Sequence, residues 1–170
     1  MLLLVLLASV VRAQPHEGWG VRVGALMLDA YPGAHPVLEP YYESSTAAGS
    51  PLTMIGDLTL AWTDISSLQI PSYDEHTIQD YGFHGGVRYT RRNNETRSYF
   101  ASFQFGFDVY PDPVQPDPGR VSASFPISAG VLQDWSEHTQ LELIGTARPL
   151  WYFRQAWGFS YLVTIGLRFY

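Results

Sequence analysis

The chain has 170 residues, of which 46% are hydrophobic, 15% charged and 15% aromatic, and its formal net charge is −6. It contains no cysteine, which excludes disulfides, iron–sulfur clusters and cysteine-based zinc sites. The length suits one domain with a substantial core, the composition is too apolar for intrinsic disorder, and the negative charge argues against a nucleic-acid-binding protein. All ten basic residues are arginines, which is unusual for a water-exposed surface.

The first residues predict a signal peptide. Residues 2–11 form an apolar run of about ten, which suits the hydrophobic region of a signal peptide and is too short to span a bilayer as a helix. Small or branched residues precede Gln14, so we expect cleavage after Ala13; a buried N-terminal strand is the alternative. The mature domain is then 14–170, in which no run approaches the roughly 18 apolar residues of a membrane-spanning helix.

The mature chain alternates between apolar and polar residues with the period of two that is typical of β-strands. The predicted strands are Trp19–Leu28, Val37–Ser44, Met54–Thr63, Tyr81–Arg91, Tyr99–Tyr110, Val121–Val131, Gln140–Arg148 and Phe159–Phe169. The second is the weakest because Pro40 interrupts it, and a proline in a strand requires a bulge or an edge. If that segment is not a strand, the eighth strand is Ser66–Ile70.

The connections predict an up-and-down order of the strands. The turns at 92–97 and 134–138 are short and polar, whereas the connections at 66–80, 111–120 and 149–156 are longer or richer in proline and aromatic residues. Short turns on one rim and longer loops on the other are typical of a bacterial membrane barrel.

Alternation alone does not say whether the apolar face points inward, as in a soluble lipocalin-type barrel, or outward to lipid. The polar face consists mainly of serine, threonine, glycine and glutamine, which suits a crowded interior. Tryptophan and tyrosine gather at strand ends, as in the aromatic girdles of membrane barrels; they are Trp19, Trp62, Tyr81, Tyr99, Tyr110 and Trp157. The sequence therefore predicts an all-β fold, a closed antiparallel up-and-down transmembrane barrel of eight strands.

Over residues 19–170 the chain resembles the small eight-stranded outer-membrane barrels, the opacity-like and outer-membrane-protein-A-like group. The resemblance rests on the signal segment, the alternating strands and a last strand that ends Gly166-Leu167-Arg168-Phe169-Tyr170. The resemblance implies a monomer in the bacterial outer membrane, in contact with outer-membrane lipids and lipopolysaccharide. It also implies a last strand that the outer-membrane insertion machinery recognises through a final lipid-facing aromatic. Phe169 falls on the predicted lipid-facing side of the strand, and the last residue, Tyr170, lies one residue beyond it. The resemblance implies no cofactor and hardly any activity.

If the apolar face meets lipid, nine polar residues point into the barrel. They are Arg22, Asp57, His84, Arg88, Gln104, Asp108, Glu142, Arg148 and Arg168. An isolated buried ion costs several kcal/mol, so we expect Arg88 and Arg148 to pair with Asp57, Asp108 or Glu142. The interior of an eight-stranded barrel is just wide enough for side chains. This favours a plugged lumen, and a narrow ion path is the alternative.

Catalysis and metal binding find less support. Lipid-modifying barrel enzymes carry a histidine and a serine near the outer rim, and here Ser102 is a candidate cross-strand neighbour of His84, with Asp108 further along, so a Ser–His–Asp set stays open. However, His84 lies mid-strand among glycines and no nucleophile elbow is present. Asp74-Glu75-His76 is interpreted as a solvated cluster, and no catalytic or metal-binding residue is expected. The sequence thus predicts a non-enzymatic structural or surface-interaction protein, with a small-solute channel and a soluble periplasmic lipocalin-type barrel as alternatives.

Overall fold

A computed structural model describes residues 17–28, 31–47, 49–64, 77–110, 120–152 and 156–170. No helix long and apolar enough to cross a membrane occurs in these ranges. Their strands are β1 (Glu17–Leu28), β2 (Tyr31–Ser45), β3 (Leu52–Asp64), β4 (Thr77–Arg92), β5 (Arg97–Tyr110), β6 (Arg120–Ser124), β7 (Ile127–Ser136), β8 (Thr139–Tyr152) and β9 (Ala156–Phe169).

The strands close into a barrel with eight strand positions. From β1 to β5, and from β8 to β9, each strand pairs antiparallel with the next, and β9 returns to pair with β1. β6 and β7 share one position, because both pair with β5 on one side and β8 on the other. Closure leaves no open edge whose backbone groups would face lipid unpaired. The predicted closed, antiparallel, up-and-down barrel of eight strands is confirmed.

The sixth strand was predicted as one element, and the structure interrupts it at Phe125 and Pro126. Proline cannot donate to a sheet ladder, so a break at this point is expected physically. The neighbouring strands bridge the interruption: Gln104 donates its backbone N–H to the Pro126 carbonyl at 2.9 Å, and Phe125 donates to the Pro149 carbonyl at 3.0 Å. The barrel therefore stays closed across the break.

The second strand is present and is longer than predicted. Its ladder with β1 keeps one register from Glu17 to Leu26, including the pair Val21 and Pro40. Its ladder with β3 keeps one register on both sides of Pro40 but has no pair at Glu39 or Pro40. The expectation of a bulge or edge at Pro40 was wrong, because a local gap in one ladder accommodates the missing N–H. The alternative strand at 66–70 lies outside the described residues, as do the predicted signal peptide and most of the connections 66–80 and 111–120. The expected connection at 149–156 was wrong in its bounds, because residues 149–152 belong to β8 and Ala156 begins β9.

The two ends of the barrel differ. At one end lie Glu17, Tyr170 and the connections 46–51, 93–96 and 137–138, and both predicted short turns are confirmed there. The connections at the other end, 29–30, 65–76, 111–119 and 153–155, lie outside the described residues. Because outer-membrane barrels have short periplasmic turns and longer extracellular loops, we call these ends the turn end and the loop end.

The alternation places apolar side chains outward and charged side chains inward. Phe83 is 68% exposed and Trp157 64% exposed on the outside, whereas Arg88, His84 and Glu142 are 1% exposed or less. This arrangement is the reverse of a water-soluble protein, in which charged residues are rarely fully buried and large apolar patches are rarely exposed. The predicted lipid-facing wall is confirmed, and a soluble lipocalin-type barrel, whose apolar face points inward, does not fit.

Outward-facing aromatic residues form a band near each end of the wall. Trp19, Tyr42, Tyr99 and Trp135 lie towards the turn end, and Trp62, Tyr81, Trp151 and Trp157 lie towards the loop end. Such bands sit at the two membrane–water interfaces. At the seam between β1 and β9, the Trp19 ring stacks on Phe169 with 4.6 Å between centroids.

Candidate functional site in the barrel interior

All nine predicted lumen residues lie inside the barrel, and their exposed fractions range from 0% to 6%. β1 carries Arg22, β3 carries Asp57, β4 carries His84 and Arg88, β5 carries Gln104 and Asp108, β8 carries Glu142 and Arg148, and β9 carries Arg168. They lie inside because the period of two sends them opposite to the apolar wall. Together with residues of β2 described below, they form what we call the ionic network.

One part of the ionic network centres on Arg88 and Glu142. Arg88 donates through Nη1 to Glu142 Oε1 at 3.1 Å and to Glu43 Oε2 at 2.9 Å. Arg22 donates through Nε to the second oxygen of Glu142 at 2.9 Å. Arg168 lies 3.6 Å from Glu43. Two carboxylates are thus shared by three arginines from three strands, which offsets the cost of burying each charge.

Aromatic rings complete the surroundings of these arginines. The Arg22 guanidinium carbon lies 3.9 Å from the centroid of the Tyr41 ring, and the Arg88 carbon lies 4.2 Å from that of Phe100. Planar guanidinium groups stack favourably on aromatic faces. Glycines on adjacent strands make room for the rings, since a side chain at Gly20 would overlap Tyr41 and one at Gly130 would come within 2.7 Å of Phe100.

The other part of the ionic network surrounds His84. Its Nδ1 lies 2.8 Å from Asp57 Oδ1 and its Nε2 lies 3.3 Å from Asp108 Oδ2. Gln104 donates to the second oxygen of Asp57. Because a carboxylate only accepts hydrogen bonds, both ring nitrogens must donate, which an imidazole does in its charged form. Added Cβ atoms at Gly82 and Gly106 would crowd this ring from the two sides.

Arg148 joins this part to β2 and β3. It donates through Nη1 to Asp108 Oδ1 at 3.0 Å, and through Nη2 to Thr59 Oγ1 at 3.0 Å and to Glu39 Oε1 at 3.4 Å. Arg88 and Arg148 therefore each contact one of the expected carboxylates, Glu142 and Asp108. The expected third carboxylate, Asp57, contacts His84 instead of an arginine.

The sequence reasoning missed the contribution of β2. Glu39, Tyr41 and Glu43 are all buried on its inner face, and Glu43 also accepts a hydrogen bond from Thr53. The signal was the same alternation, which runs from His35 to Glu43 but is obscured by proline at the outward positions. Three carboxylates were expected against the arginines; the described interior holds six, namely Glu39, Glu43, Asp57, Asp80, Asp108 and Glu142, beside four arginines and His84.

The interior also contains apolar side chains, which the sequence reasoning did not identify. Leu26, Leu28, Val37, Ala61, Leu150 and Leu162 form one buried cluster at the loop end, which we call the apolar cap. A second buried group, Phe100, Leu132 and Ile144, lies beside the ionic network. The residues that point into the barrel were assigned to the correct face, but several inward-pointing residues near the strand ends are apolar. The described interior therefore has an ionic centre and, towards the loops, an apolar cluster beside buried His35, Asp80 and Ser160.

The Ser–His–Asp set is not formed. On β5 the cross-strand partner of His84 is Gly106, and Ser102 is paired with Arg88 instead, so the expected register was wrong by four residues. Both nitrogens of His84 contact carboxylates, which leaves neither to activate a hydroxyl group. Within the described ranges no three histidine, aspartate or glutamate residues are grouped to hold a metal ion; Asp74-Glu75-His76 lies outside those ranges.

Neither the family models nor the curated proteins contain a match to this chain, whereas solved structures do resemble it. Neisserial surface protein A has 10% identity and a TM-score of 0.63, covering 91% of this chain and 95% of that chain. The N-terminal β-barrel domain of OprF from Pseudomonas aeruginosa has 7% identity and a TM-score of 0.58, covering 92% and 98%. Ail, the attachment invasion locus protein of Yersinia pestis, has 14% identity and a TM-score of 0.51, covering 91% and 97%.

At these identities the likeness concerns the fold. It agrees with the closed eight-position barrel, the apolar outer wall and the two aromatic bands, which are the features that a barrel needs to span a bilayer. The resemblance that the sequence implied is confirmed at this level: the chain is a transmembrane β-barrel with the fold of the small bacterial outer-membrane barrel proteins.

Proposed function

We propose that this outer-membrane barrel is a non-enzymatic, plugged support that holds its loop-end connections at the cell surface. The observation that carries the proposal is the filled interior. The described inward side chains of the ionic network are buried, and each of its charges lies against an opposite charge from another strand. Such cross-strand pairs would hold the strands in register as well as fill the space between them.

The apolar cap supports the same function. Leu26, Leu150 and Leu162 come from three different strands and are each 1% exposed. Apolar side chains in a narrow passage oppose the entry of water, which is how hydrophobic constrictions close a pore. Buried His35, Asp80 and Ser160 lie at the same level as the cap. A solute entering from the loop end would have to displace these side chains before it reached the charged centre.

A surface-interaction role is supported by the composition of the loop-end connections. These four segments contain five acidic residues, Asp29, Asp74, Glu75, Asp112 and Asp117, and a single basic residue, Arg154. The two Pro-Asp-Pro sequences in 111–118 restrict the backbone and reduce the entropy lost on binding. The structure of Ail has been solved with the heparin analogue sucrose octasulfate. The acidic segments of this chain suit a basic or neutral partner instead of such a polyanion.

The plug is tested by planar-bilayer conductance of the purified full chain. We expect no unitary conductance steps for the wild-type barrel, whose folded state is checked by a migration difference between unheated and heated samples on a gel. Reproducible steps from folded wild-type protein would contradict the plug.

Binding of sucrose octasulfate and of a polyarginine peptide tests the surface role, and we expect only the peptide to bind.

A narrow ion path is the second candidate. The observation that favours it is that Arg22 Nη2, Arg88 Nε and Arg168 Nε are buried without a hydrogen-bond partner among the described residues. Buried groups of this kind are commonly bonded to internal water. If water fills the centre, conductance should appear when the apolar cap is opened by Leu162→Ala while the ionic network is intact.

A lipid-contacting role is also proposed for the wall and the last strand. The wall would contact outer-membrane lipids and lipopolysaccharide as a monomer, and β9, with Phe169 in the outward phase, would be the strand that the insertion machinery recognises. Phe169→Ala should slow assembly in cells more than refolding into pure lipid vesicles, because only the first process uses the machinery.

A further inference from the structure

Among the arginines whose side chains the structure describes, those outside the ionic network flank one turn. Seven arginines have described side chains, and four of these, Arg22, Arg88, Arg148 and Arg168, belong to the ionic network. The other three, Arg91, Arg92 and Arg97, all flank the turn between β4 and β5. Since the chain has no lysine, this turn is the one place on the described outer surface that carries basic side chains.

Arg92 is used to build the turn. It donates through Nε to the Asn94 carbonyl at 3.0 Å, and through Nη2 to the Glu95 carbonyl and to Asp134 Oδ2 at 3.2 Å. The Asn94 side chain accepts the backbone N–H of Arg97 at 2.8 Å. The turn is further tied to the neighbouring strand, because the Asp134 backbone donates to Thr96. The backbone that carries Arg91 and Arg97 is therefore held in place before any ligand arrives.

Arg91 and Arg97 lie on the outer face and flank Tyr99. Arg91 is the direct cross-strand partner of Tyr99, and Arg97 precedes Tyr99 by two residues on the same strand, so all three side chains leave the same face. Arg97 donates through Nε to Gln133 Oε1 at 3.1 Å. Neither arginine makes an ion pair within the described part of the chain.

The position of this group is the boundary of the lipid-facing wall. Along the outer face of β4 and β5, Val87 and Phe103 lie between this group and the middle of the barrel wall. The polar turn lies beyond the group, at the end of the barrel. Tyr99 and Trp135 belong to the aromatic band of this end. Aromatic bands mark the depth of lipid headgroups, so the two guanidinium groups lie at the depth of lipid phosphates.

We propose that Arg91, Arg97 and Tyr99 bind the phosphate of a glycerophospholipid in the leaflet that the turn end faces. A guanidinium fork matches two phosphate oxygens, and the tyrosine hydroxyl can donate to a further oxygen. The acyl chains would lie along the apolar surface at Val87 and Phe103. The rigid turn reduces the ordering cost of binding, and the inference holds whether or not the lumen is plugged.

The test uses the full chain folded in maltoside micelles, which contain no phosphate, and short-chain phosphatidylglycerol as the probe. Calorimetry and the amide resonances of 96–99 report binding. We expect the double variant R91Q/R97Q to weaken binding by at least about tenfold, which corresponds to about 1.4 kcal/mol, because two charge-assisted contacts are removed. R91K/R97K keeps the charge but loses the fork, and should fall between the double variant and wild type.

The control is R120Q, which removes one positive charge from the first residue of β6, at the loop end, and which is compared with the single variants R91Q and R97Q. It should bind the lipid as wild type does, and all variants should keep the heat-dependent gel migration of a folded barrel. If R120Q weakens binding as much as R91Q or R97Q does, the effect is one of net charge alone and the site is overturned. Inorganic phosphate is the second probe: binding as tight as that of the lipid would show a simple anion site and overturn the lipid assignment, as would absence of lipid binding by wild type.

Discussion

The outer wall and the interior of this barrel are built from the same strands by opposite rules. Along β9, Leu162 is 1% exposed and its neighbour Val163 is 51% exposed, although both are aliphatic. On the wall, any apolar residue of suitable size satisfies the lipid between the two aromatic bands, so one rule holds for the whole lipid-facing surface between them. In the interior each residue must fit its particular neighbours, and the ionic network and the apolar cap are two different solutions. The effect of a substitution on stability should therefore depend on the polarity of the new residue on the wall, and on the particular neighbours of the replaced side chain in the interior.

The largest effect is expected from the carboxylate that two arginines share. Glu142→Gln should lower the free energy of unfolding by about 3–5 kcal/mol, because Arg22 and Arg88 would stay buried with one charge partner removed. Urea unfolding in lipid vesicles, followed by tryptophan fluorescence, measures this loss.

The matched control is Glu137→Gln, the same substitution at an exposed carboxylate in the turn between β7 and β8. It should change stability by less than about 0.5 kcal/mol. If the two variants are equally stable, Glu142 is solvated and the ionic network does not hold the strands together.

The next effect concerns the apolar cap. Leu162→Ala should cost about 2–5 kcal/mol, since the residue is enclosed by the other aliphatic side chains of the cap and its removal leaves a cavity. Val163→Ala is the control on the opposite face, where lipid fills the space that the lost methyl groups leave. A larger loss at Val163 than at Leu162, measured in the same vesicles, would reverse the assignment of the two faces.

These expectations show which parts of the structure alternation could predict. A period of two assigns each residue to a face, so the wall and the burial of Arg22 or Glu142 follow directly. Alternation does not fix the register of two strands, because a shift by any even number of residues preserves both faces. This is why His84 was expected beside Ser102 and lies beside Gly106, four residues away. The acids of β2 were missed because proline at outward positions hides a strand whose inner face is regular.

The wall itself can be tested with a charge. Val163→Arg should lower the stability of the folded barrel in vesicles by about 2–4 kcal/mol, the cost of placing arginine on the lipid side near the bilayer midplane. Fluorophores attached at Val163, Ile165 and Leu167 should be quenched by lipid-borne quenchers, and one at Thr164 should not. Quenching that does not follow this alternation would place the apolar face away from lipid.

The smallest effect on stability is expected from adding a methyl group at Gly106, which faces the interior, compared with Gly145, which faces outward. Gly106→Ala would bring its Cβ within 2.6 Å of the His84 ring and against the Phe83 carbonyl, so the centre of the ionic network would have to shift. Overpacking of this kind costs about 1–3 kcal/mol. Gly145 faces outward and an added Cβ there meets nothing within 4 Å, so Gly145→Ala should be neutral or slightly stabilising, because alanine restricts the unfolded chain. Both variants are compared by urea unfolding. Equal tolerance at the two positions would mean that the interior has spare room around His84, which would favour a water-filled path over a plug.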